Sequence, residues 1–251
     1  MITPGLVSVT FRKLSPAEIV TLVRQAELDC IEWGGDIHVP HGDSIRAREV
    51  RQLTLEAGLT VAAYGSYYRV NKSEADGLPF TTVLETARAL GAPTIRVWAG
   101  TLSSAKADAA YRAAVAADAR RIADLAQAAG ITVTSEYHGG TLTDTDASAQ
   151  QFLRETQHPN FRTGWQPHPG GTLATNLAGL QAILPQLTTI HCYHWLNTER
   201  RPYVEGAADW RQYFAVIQSS GRRHSALLEF VAGDDPANFF RDAATLRQLV
   251  T

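Results

Sequence analysis

Short apolar segments alternate with longer helical patterns along the whole chain, and this alternation restricts the fold more than any other feature of the sequence. Most of these segments are rich in β-branched or aromatic residues and become polar towards their C-terminal ends. Continuous apolar strands are typical of a parallel sheet that helices cover. The predicted strands are residues 6–11, 30–35, 60–66, 94–100, 132–138, 161–167, 189–195 and 225–231.

Strand–helix units of about 30 residues each match the usual size of a (β/α)8 barrel. We therefore expect an α/β protein that forms a single TIM barrel, with one domain over residues 1–251 because no linker or shift of composition divides the chain. Residues 6–11 should pair with residues 225–231, since the first and last strands each need a partner. The alternative is an open doubly wound sheet, whose Gly-rich dinucleotide fingerprint is absent after the first strand.

The predicted helices carry recognisable start signals. Ser15, Pro16 and Glu18 have the types and spacing of a capping box with proline at the first helical position. Asp235 and Pro236 begin the last helix in a similar way. These signals support the boundaries of the first and last strand–helix units.

Composition and charge exclude several classes of protein. The chain is 45% hydrophobic and 19% charged with a formal net charge of -2, so it has no basic field to hold a nucleic-acid backbone. It contains no apolar run of membrane-spanning length and no pattern typical of a secretory signal. Cys30 and Cys192 are isolated in apolar segments, which predicts free thiols in a reducing compartment. We expect a cytoplasmic protein that binds neither nucleic acid nor membranes.

Polar side chains gather at the C-terminal ends of the predicted strands, where the active site of a TIM barrel lies. A single histidine at such a position is more often structural than a ligand, and tryptophans there can simply pack. The convergence of strands five to eight on one rim favours a site. The residues at these ends are Glu32, Asp36, His38, Tyr64, Tyr67, Arg96, Trp98, Glu136, His138, Gln166, His168, His191, His194 and Glu229.

Two carboxylates stand out among these residues. Glu136 and His138 are two apart in an extended segment and so point to one side. Glu229 is a single charge in the apolar run SALLEFV, and a buried carboxylate is costly without a partner such as a cation or Arg96. Oxygen and imidazole ligands without a thiolate suit Mn²⁺, Mg²⁺, Co²⁺ or Zn²⁺.

Three segments resemble the xylose isomerase-like TIM barrel superfamily of sugar isomerases and epimerases. IEWGGDIHVPHGD is similar to the second-strand segment of many members, SEYHGGTLTDT to the strand-five segment with a metal-binding Glu, and LLEFVAGDD to the strand-eight segment with a second one. The superfamily also includes inosose dehydratases and zinc-dependent AP endonucleases. The resemblance covers essentially the whole chain.

The resemblance implies one divalent metal ion with one ligand from each of strands five to eight. The family has Asp on strand six, where this chain reads WQPH. Alignment on the proline puts Gln166 in that position, whereas alignment on the histidine puts Trp165 there and leaves no ligand. On strand seven His191 matches the family position better than His194, which has the opposite parity. The implied ligands are Glu136, Gln166, His191 and Glu229.

The same resemblance implies a metal-dependent isomerase or epimerase of a sugar or related polyol ketone. Glu136 and Glu229 are the predicted catalytic pair: one removes a proton next to the carbonyl and the other returns one, through an enediolate that the cation stabilises. The residues expected to bind the substrate are His38, Tyr64, Trp98, His138, His168, His194 and Arg200, with Arg201 as the alternative to Arg200.

Other functions fit the same scaffold. A lyase similar to inosose dehydratase would use the same base and expel a leaving group from the β-carbon. A non-catalytic sugar-binding barrel would follow if Gln166 abolished metal binding. An endonuclease is disfavoured because the chain offers too few ligands for a multi-zinc cluster. Barrels of this kind often pair, and an exposed aromatic segment around Tyr203 to Trp210 would suit a homo-oligomer.

Overall fold

The computed structural model describes residues 1–196 and 198–251, and within them eight parallel strands close into a barrel. The order around the barrel is β1-β10-β7-β6-β5-β4-β3-β2. Two short strands, β8 and β9, form an antiparallel pair outside it. The strands are β1 Ile2–Val7, β2 Cys30–Gly34, β3 Thr60–Arg69, β4 Thr94–Trp98, β5 Thr132–Ser135, β6 Phe161–Trp165, β7 Leu187–Cys192, β8 Trp195–Leu196, β9 Glu199–Arg200 and β10 His224–Leu228.

Helices pack around the barrel and follow the predicted pattern. The predicted cap of the first helix is present, since the Ser15 side chain accepts the N–H of Glu18 and the Glu18 carboxylate accepts the N–H of Ser15 at 2.7 Å. Asp235 caps the last helix. The helices are α1 Pro16–Gln25, α2 Ser44–Glu56, α3 Phe80–Leu90, α4 Ala109–Ala128, α5 Asp146–Thr156, α6 Leu173–Ile183, α7 Ala207–Ser219 and α8 Pro236–Val250.

The first and last barrel strands pair as predicted, but the first strand lies earlier in the chain. Leu6 aligns with Leu228, and β1 spans Ile2–Val7 rather than residues 6–11. Residues 8–11 form a 3-10 turn. Two of its side chains accept hydrogen bonds from the backbone of neighbouring segments. The Ser8 hydroxyl accepts the N–H of Gly34 at 2.9 Å, and the Thr10 hydroxyl accepts the N–H of Phe230 at 3.1 Å.

The core lies between the barrel and its helices. Cys30 and Cys192 are both buried free thiols, in agreement with the sequence prediction. No helix in the described ranges is both long enough and apolar enough to span a membrane. The barrel therefore places one ring of strand ends, and the loops that follow them, around a shared rim.

Candidate active site

Two carboxylates stand directly after barrel strands. Glu136 follows β5 and Glu229 follows β10. Their backbone N–H groups continue the ladder by one residue, donating to Val97 and Cys192 respectively, each at 3.0 Å. This backbone anchoring holds both side chains at the rim although neither residue belongs to a strand.

Glu136, His191 and Glu229 come together and are buried, with one ligand atom from each lying within 4.8 Å of the others. His191 Nδ1 lies 3.6 Å from Glu136 Oε1 and 3.4 Å from Glu229 Oε2. Among the described residues this is the one group of three or more His, Cys, Asp or Glu side chains close enough to hold a metal ion. Two carboxylate oxygens and an imidazole nitrogen suit a divalent cation.

A second layer of charge supports these three residues. The Arg96 Nε donates to Glu32 Oε1 at 2.6 Å, and its Nη1 donates to Glu136 Oε2. Nε2 of His191 lies 3.3 Å from the other oxygen of Glu32. Arg96 therefore pairs directly with Glu32 and Glu136, not with Glu229 as the sequence allowed. We call Glu32, Arg96, Glu136, His191 and Glu229 the charged cluster.

The cluster fixes the charge of its members. Burial raises the pKa of Glu136, but Arg96, His191 and the Trp98 N–H that donates to it outweigh burial and hold the pKa at about 2. Burial lowers the pKa of His191, and the carboxylates of Glu229 and Glu32 raise it well above its ordinary value. Glu136 is consequently ionised at neutral pH, as a metal ligand must be.

Gln166 lies at the rim beside the cluster. Its Oε1 is buried and has no hydrogen-bond partner among the described residues, and the residue lines the same cavity as Glu136 and Glu229. Trp165 instead packs in the helix layer, with ring centroids 5.1 Å from Tyr213. A buried, unpaired amide oxygen next to two carboxylates and an imidazole fits a four-ligand divalent site.

A cavity of about 460 Å³ opens above the cluster, and we call it the rim cavity. His138 stacks on Trp98 with ring centroids 4.1 Å apart, and His168 stacks on Tyr137 at 5.3 Å. The lining is mainly aromatic, which suits a small ligand with apolar faces and polar edges. The lining residues are Tyr67, Trp98, Glu136, Tyr137, His138, Gly139, Asp144, Gln166, His168, Pro169, Tyr193, Trp195, Glu229 and Phe230.

Backbone strain accompanies this lining. Tyr67 has a φ of 55° and Phe230 a φ of 54°, values in the left-handed region that bulky side chains rarely adopt. Phe230 follows Glu229 directly. Such conformations concentrate at functional sites, where the surrounding structure maintains them.

Two of the predicted substrate-binding residues, His38 and Tyr64, do not line the rim cavity. The hydroxyl of Tyr64 donates to the Val39 carbonyl at 2.8 Å. Tyr64 is in register with Trp33, the neighbour of inward-facing Glu32, so its ring points towards the helices. His38 lies in the loop after β2, where its Nδ1 is 2.9 Å from the Ser8 hydroxyl.

His194 and Arg200 also lie outside the rim-cavity lining. His194 packs against Gly206, where an added Cβ would stand 2.6 Å from its Nδ1. His191, of opposite parity, is the strand-seven histidine in the cluster. Arg200 pairs with Asp234 at 2.6 Å and covers the outer face of Phe230, 4.7 Å from the ring centroid.

The aromatic segment expected to be exposed is buried. Tyr203 and Trp210 are 1% and 2% exposed. The Trp210 Nε1 donates to the Tyr193 carbonyl at 3.0 Å, and the Tyr203 N–H donates to Asp242 at 2.9 Å. These rings support the loop beside the rim cavity and do not offer a surface to a second copy.

Comparisons with known proteins agree with this architecture. A sequence model of the family described as xylose isomerase-like TIM barrel matches residues 20–249. No curated protein matches the chain by sequence. The structure is similar to that of the probable 3-DHS dehydratase AsbF from Bacillus anthracis, with a TM-score of 0.82 and 20% identity over 98% of this chain and 99% of that one.

Two further solved structures share the fold. D-psicose 3-epimerase with D-tagatose from Clostridium cellulolyticum H10 has a TM-score of 0.74 and 13% identity over 99% of both chains. A xylose isomerase-like TIM barrel protein from Mycobacterium smegmatis in complex with magnesium has a TM-score of 0.73 and 16% identity over 99% of this chain and 97% of that one. From the family match over most of its length, the chain belongs to the xylose isomerase-like TIM barrel family.

Proposed function

We propose that this protein is a divalent-metal-dependent isomerase or epimerase of a small, uncharged sugar or polyol ketone. The observation that carries the proposal is the pair of buried carboxylates, Glu136 and Glu229, with His191 between them at the base of an aromatic cavity. Two such carboxylates can remove a proton from one position of a bound substrate and return a proton to another.

The donor set fits one divalent cation from the group Mg²⁺, Mn²⁺, Co²⁺ and Zn²⁺. Glu136, Gln166, His191 and Glu229 would hold it. When bound, the cation would polarise the substrate carbonyl and favour negative charge on its oxygen. A histidine ligand must be neutral, so His191 would lose its proton when the cation binds. The three carboxylates and one guanidinium would then leave the cluster residues at −2, which a divalent charge balances.

The two carboxylates are not equivalent as proton acceptors. Glu136 accepts hydrogen bonds from Arg96 and Trp98, which stabilise its ionised form and make it the weaker base. Among the described residues Glu229 has no ion pair with an arginine, and its contact is with His191 at 3.4 Å. We assign Glu229 the first proton abstraction next to the carbonyl. Glu136, or water beside it, exchanges the proton on the other side of the enediolate.

The lining of the rim cavity favours an uncharged substrate. Within the described residues it contains no lysine or arginine, so it offers no side-chain cation for a phosphate or a carboxylate of the substrate. The tyrosine and tryptophan rings offer the substrate apolar faces, and their O–H and N–H groups can form hydrogen bonds with it. The D-psicose 3-epimerase structure that contains D-tagatose has the same fold, which supports a free sugar as the first compound to test.

A dehydratase is the second candidate because two imidazoles line the cavity and the 3-DHS dehydratase shares the fold. His138 or His168 would protonate a leaving hydroxyl after the same proton abstraction, releasing water. The product distinguishes the reactions, since an epimerase retains the mass of its substrate.

The test is solvent-proton exchange. The protein, reconstituted with Mn²⁺ or Mg²⁺, is incubated in D₂O with a panel of free ketoses, and products are followed by NMR and mass spectrometry. We expect deuterium next to the carbonyl without loss of water. Glu229→Gln and Glu136→Gln should each reduce exchange at least about a hundredfold, while Glu85→Gln, on exposed helix α3, should not. Binding without exchange would contradict the enzyme and favour a sugar-binding barrel.

A further inference from the structure

The opposite end of the barrel contains a second polar cavity of about 450 Å³, which we call the basal cavity. It opens where the barrel strands begin, so it is separated from the charged cluster by the length of the barrel. Its lining includes threonines at the N-terminal ends of β4, β5 and β7, namely Thr94, Thr132 and Thr188. Arg162 of β6, with Arg222 and Arg223 just before β10, supplies its charge.

The basal cavity is positive although the protein as a whole is slightly negative. No Asp or Glu lines it in the part of the chain that the structure describes. Arg162 also lines a neighbouring cavity of about 510 Å³ that contains Arg154 and His158 and, in the same described part, no carboxylate. His158 itself contacts the carboxylate of Asp124 at 3.0 Å.

Arg162 and Arg222 line the same cavity. Burial, and then the positive charge of Arg162, lower the pKa of Arg222, as expected when two like charges share a cavity. Neither Arg162 nor Arg223 forms an ion pair within the described residues, whereas Arg12, Arg96 and Arg112 do. A bound anion would relieve this repulsion.

One wall of the basal cavity is held in place by hydrogen bonds. Arg222 donates from Nη1 to the Pro185 carbonyl at 2.8 Å and from Nη2 to the Leu184 carbonyl. His224 uses both ring nitrogens, with Nδ1 3.1 Å from the Thr188 carbonyl oxygen and Nε2 3.0 Å from the Ser220 hydroxyl. The guanidinium of Arg222 is consequently positioned before any ligand arrives, which lowers the entropic cost of binding.

We propose that the basal cavity binds a small phosphate-type anion through Arg162, Arg222 and Arg223, with threonine hydroxyls as further donors. Guanidinium groups bind phosphate oxygens with paired hydrogen bonds. The site lies outside the rim cavity, and the inference does not depend on the proposed isomerase function. The slight negative charge of the whole molecule favours a small anion over a nucleic acid.

Isothermal titration calorimetry and thermal unfolding with inorganic phosphate, against chloride at equal ionic strength, test the proposal. We expect saturable binding and a higher Tm with phosphate alone. Glycerol 3-phosphate is titrated beside it, and tighter binding of the ester would identify a phosphorylated metabolite as the natural source. Arg162→Gln with Arg223→Gln should weaken the affinity at least about tenfold, while Arg211→Gln, on an exposed face of α7, and Glu229→Gln should bind like the wild type.

A labelling measurement on the wild type covers the case in which the double variant does not fold. Phosphate should protect Arg162 and Arg223, but not Arg211, from phenylglyoxal, as read by peptide mass spectrometry. Equal effects of phosphate and chloride, unchanged affinity in the double variant, or no protection would overturn the proposal. Tighter binding of a single-stranded oligonucleotide than of phosphate would also overturn it, because the site would then recognise a nucleic acid.

Discussion

Single buried charges organise the candidate site. Glu32 is fully buried and contacts both Arg96 and His191. Removing one partner from such a pair leaves an uncompensated charge in a medium that solvates it poorly. The contact with Nε2 also leaves Nδ1 of His191 facing Glu136 and Glu229, so Glu32 positions the ring as outer carboxylates do for metal-binding histidines.

Glu32→Gln should therefore weaken metal binding without removing any of the four implied ligands. We expect the dissociation constant for Mn²⁺ to rise about ten- to a hundredfold. The free energy of unfolding should fall by about 3 kcal/mol, since Arg96 keeps Glu136 but loses Glu32. Calorimetric titration and urea unfolding measure the two effects. Glu85→Gln, on the exposed face of α3, is the control. If Glu32→Gln binds Mn²⁺ with the affinity of the wild type, Glu32 does not position His191 for metal binding.

Part of this residue-level arrangement could be predicted from the sequence. A lone charge in an apolar strand marked Glu229, and the same signal is present at Glu32 in CIEWG and at Arg96 in TIRVW. The partners of those charges could not be predicted, because they come from strands far apart in the chain. The family resemblance favoured His191 over His194, whose opposite parity left strand seven ambiguous. Strand parity says nothing of Tyr137, which lies beyond the end of β5.

At the scale of elements, the sequence predicted the strands better than their ends. β1 begins four residues earlier than expected, and Pro4 and Gly5 lie within the strand. The Gly5 backbone approaches β2 so closely that a Cβ on it would stand 2.4 Å from the Cys30 carbonyl oxygen. Local propensity cannot show such an approach between neighbouring strands.

Gly5→Ala should accordingly destabilise the barrel where β1 meets β2. Both the Cys30 carbonyl and the Cys30 sulfur would have to move, and we expect a loss of more than about 2 kcal/mol in the free energy of unfolding. Gly139→Ala is the matched control, because nothing lies within 4 Å of its added Cβ. Equal unfolding midpoints of the two variants in urea would show that β1 and β2 can separate at little cost.

The positions of side chains in the loops could not be predicted from the sequence. His38, His194 and Arg200 were expected to bind the substrate, yet they are held outside the rim-cavity lining by contacts to Ser8, Gly206 and Asp234 respectively. Loop paths depend on such contacts, which have no periodic signature in the sequence. Strand-end residues anchored by ladder hydrogen bonds, such as Glu136 and Glu229, were easier to place.

For the whole molecule, the parallel barrel gives its two ends different chemistry. The C-terminal rim collects three carboxylates, a histidine and aromatic rings, whereas the N-terminal end collects arginines and threonines. The fold was predictable because its strand–helix unit repeats along the chain. The polarity of the N-terminal end was not predicted, because its residues open the strands and resemble ordinary strand starts.

The central claim is that Glu136, Gln166, His191 and Glu229 hold one divalent cation, and calorimetric titration of chelator-stripped protein with Mn²⁺ tests it most directly. We expect one equivalent to bind to the wild type, and Glu229→Gln to raise the dissociation constant at least about a hundredfold, or about 2.7 kcal/mol. Urea unfolding of the metal-free proteins shows whether the variant folds. Folded Glu229→Gln that binds Mn²⁺ with the stoichiometry and affinity of the wild type would contradict the claim.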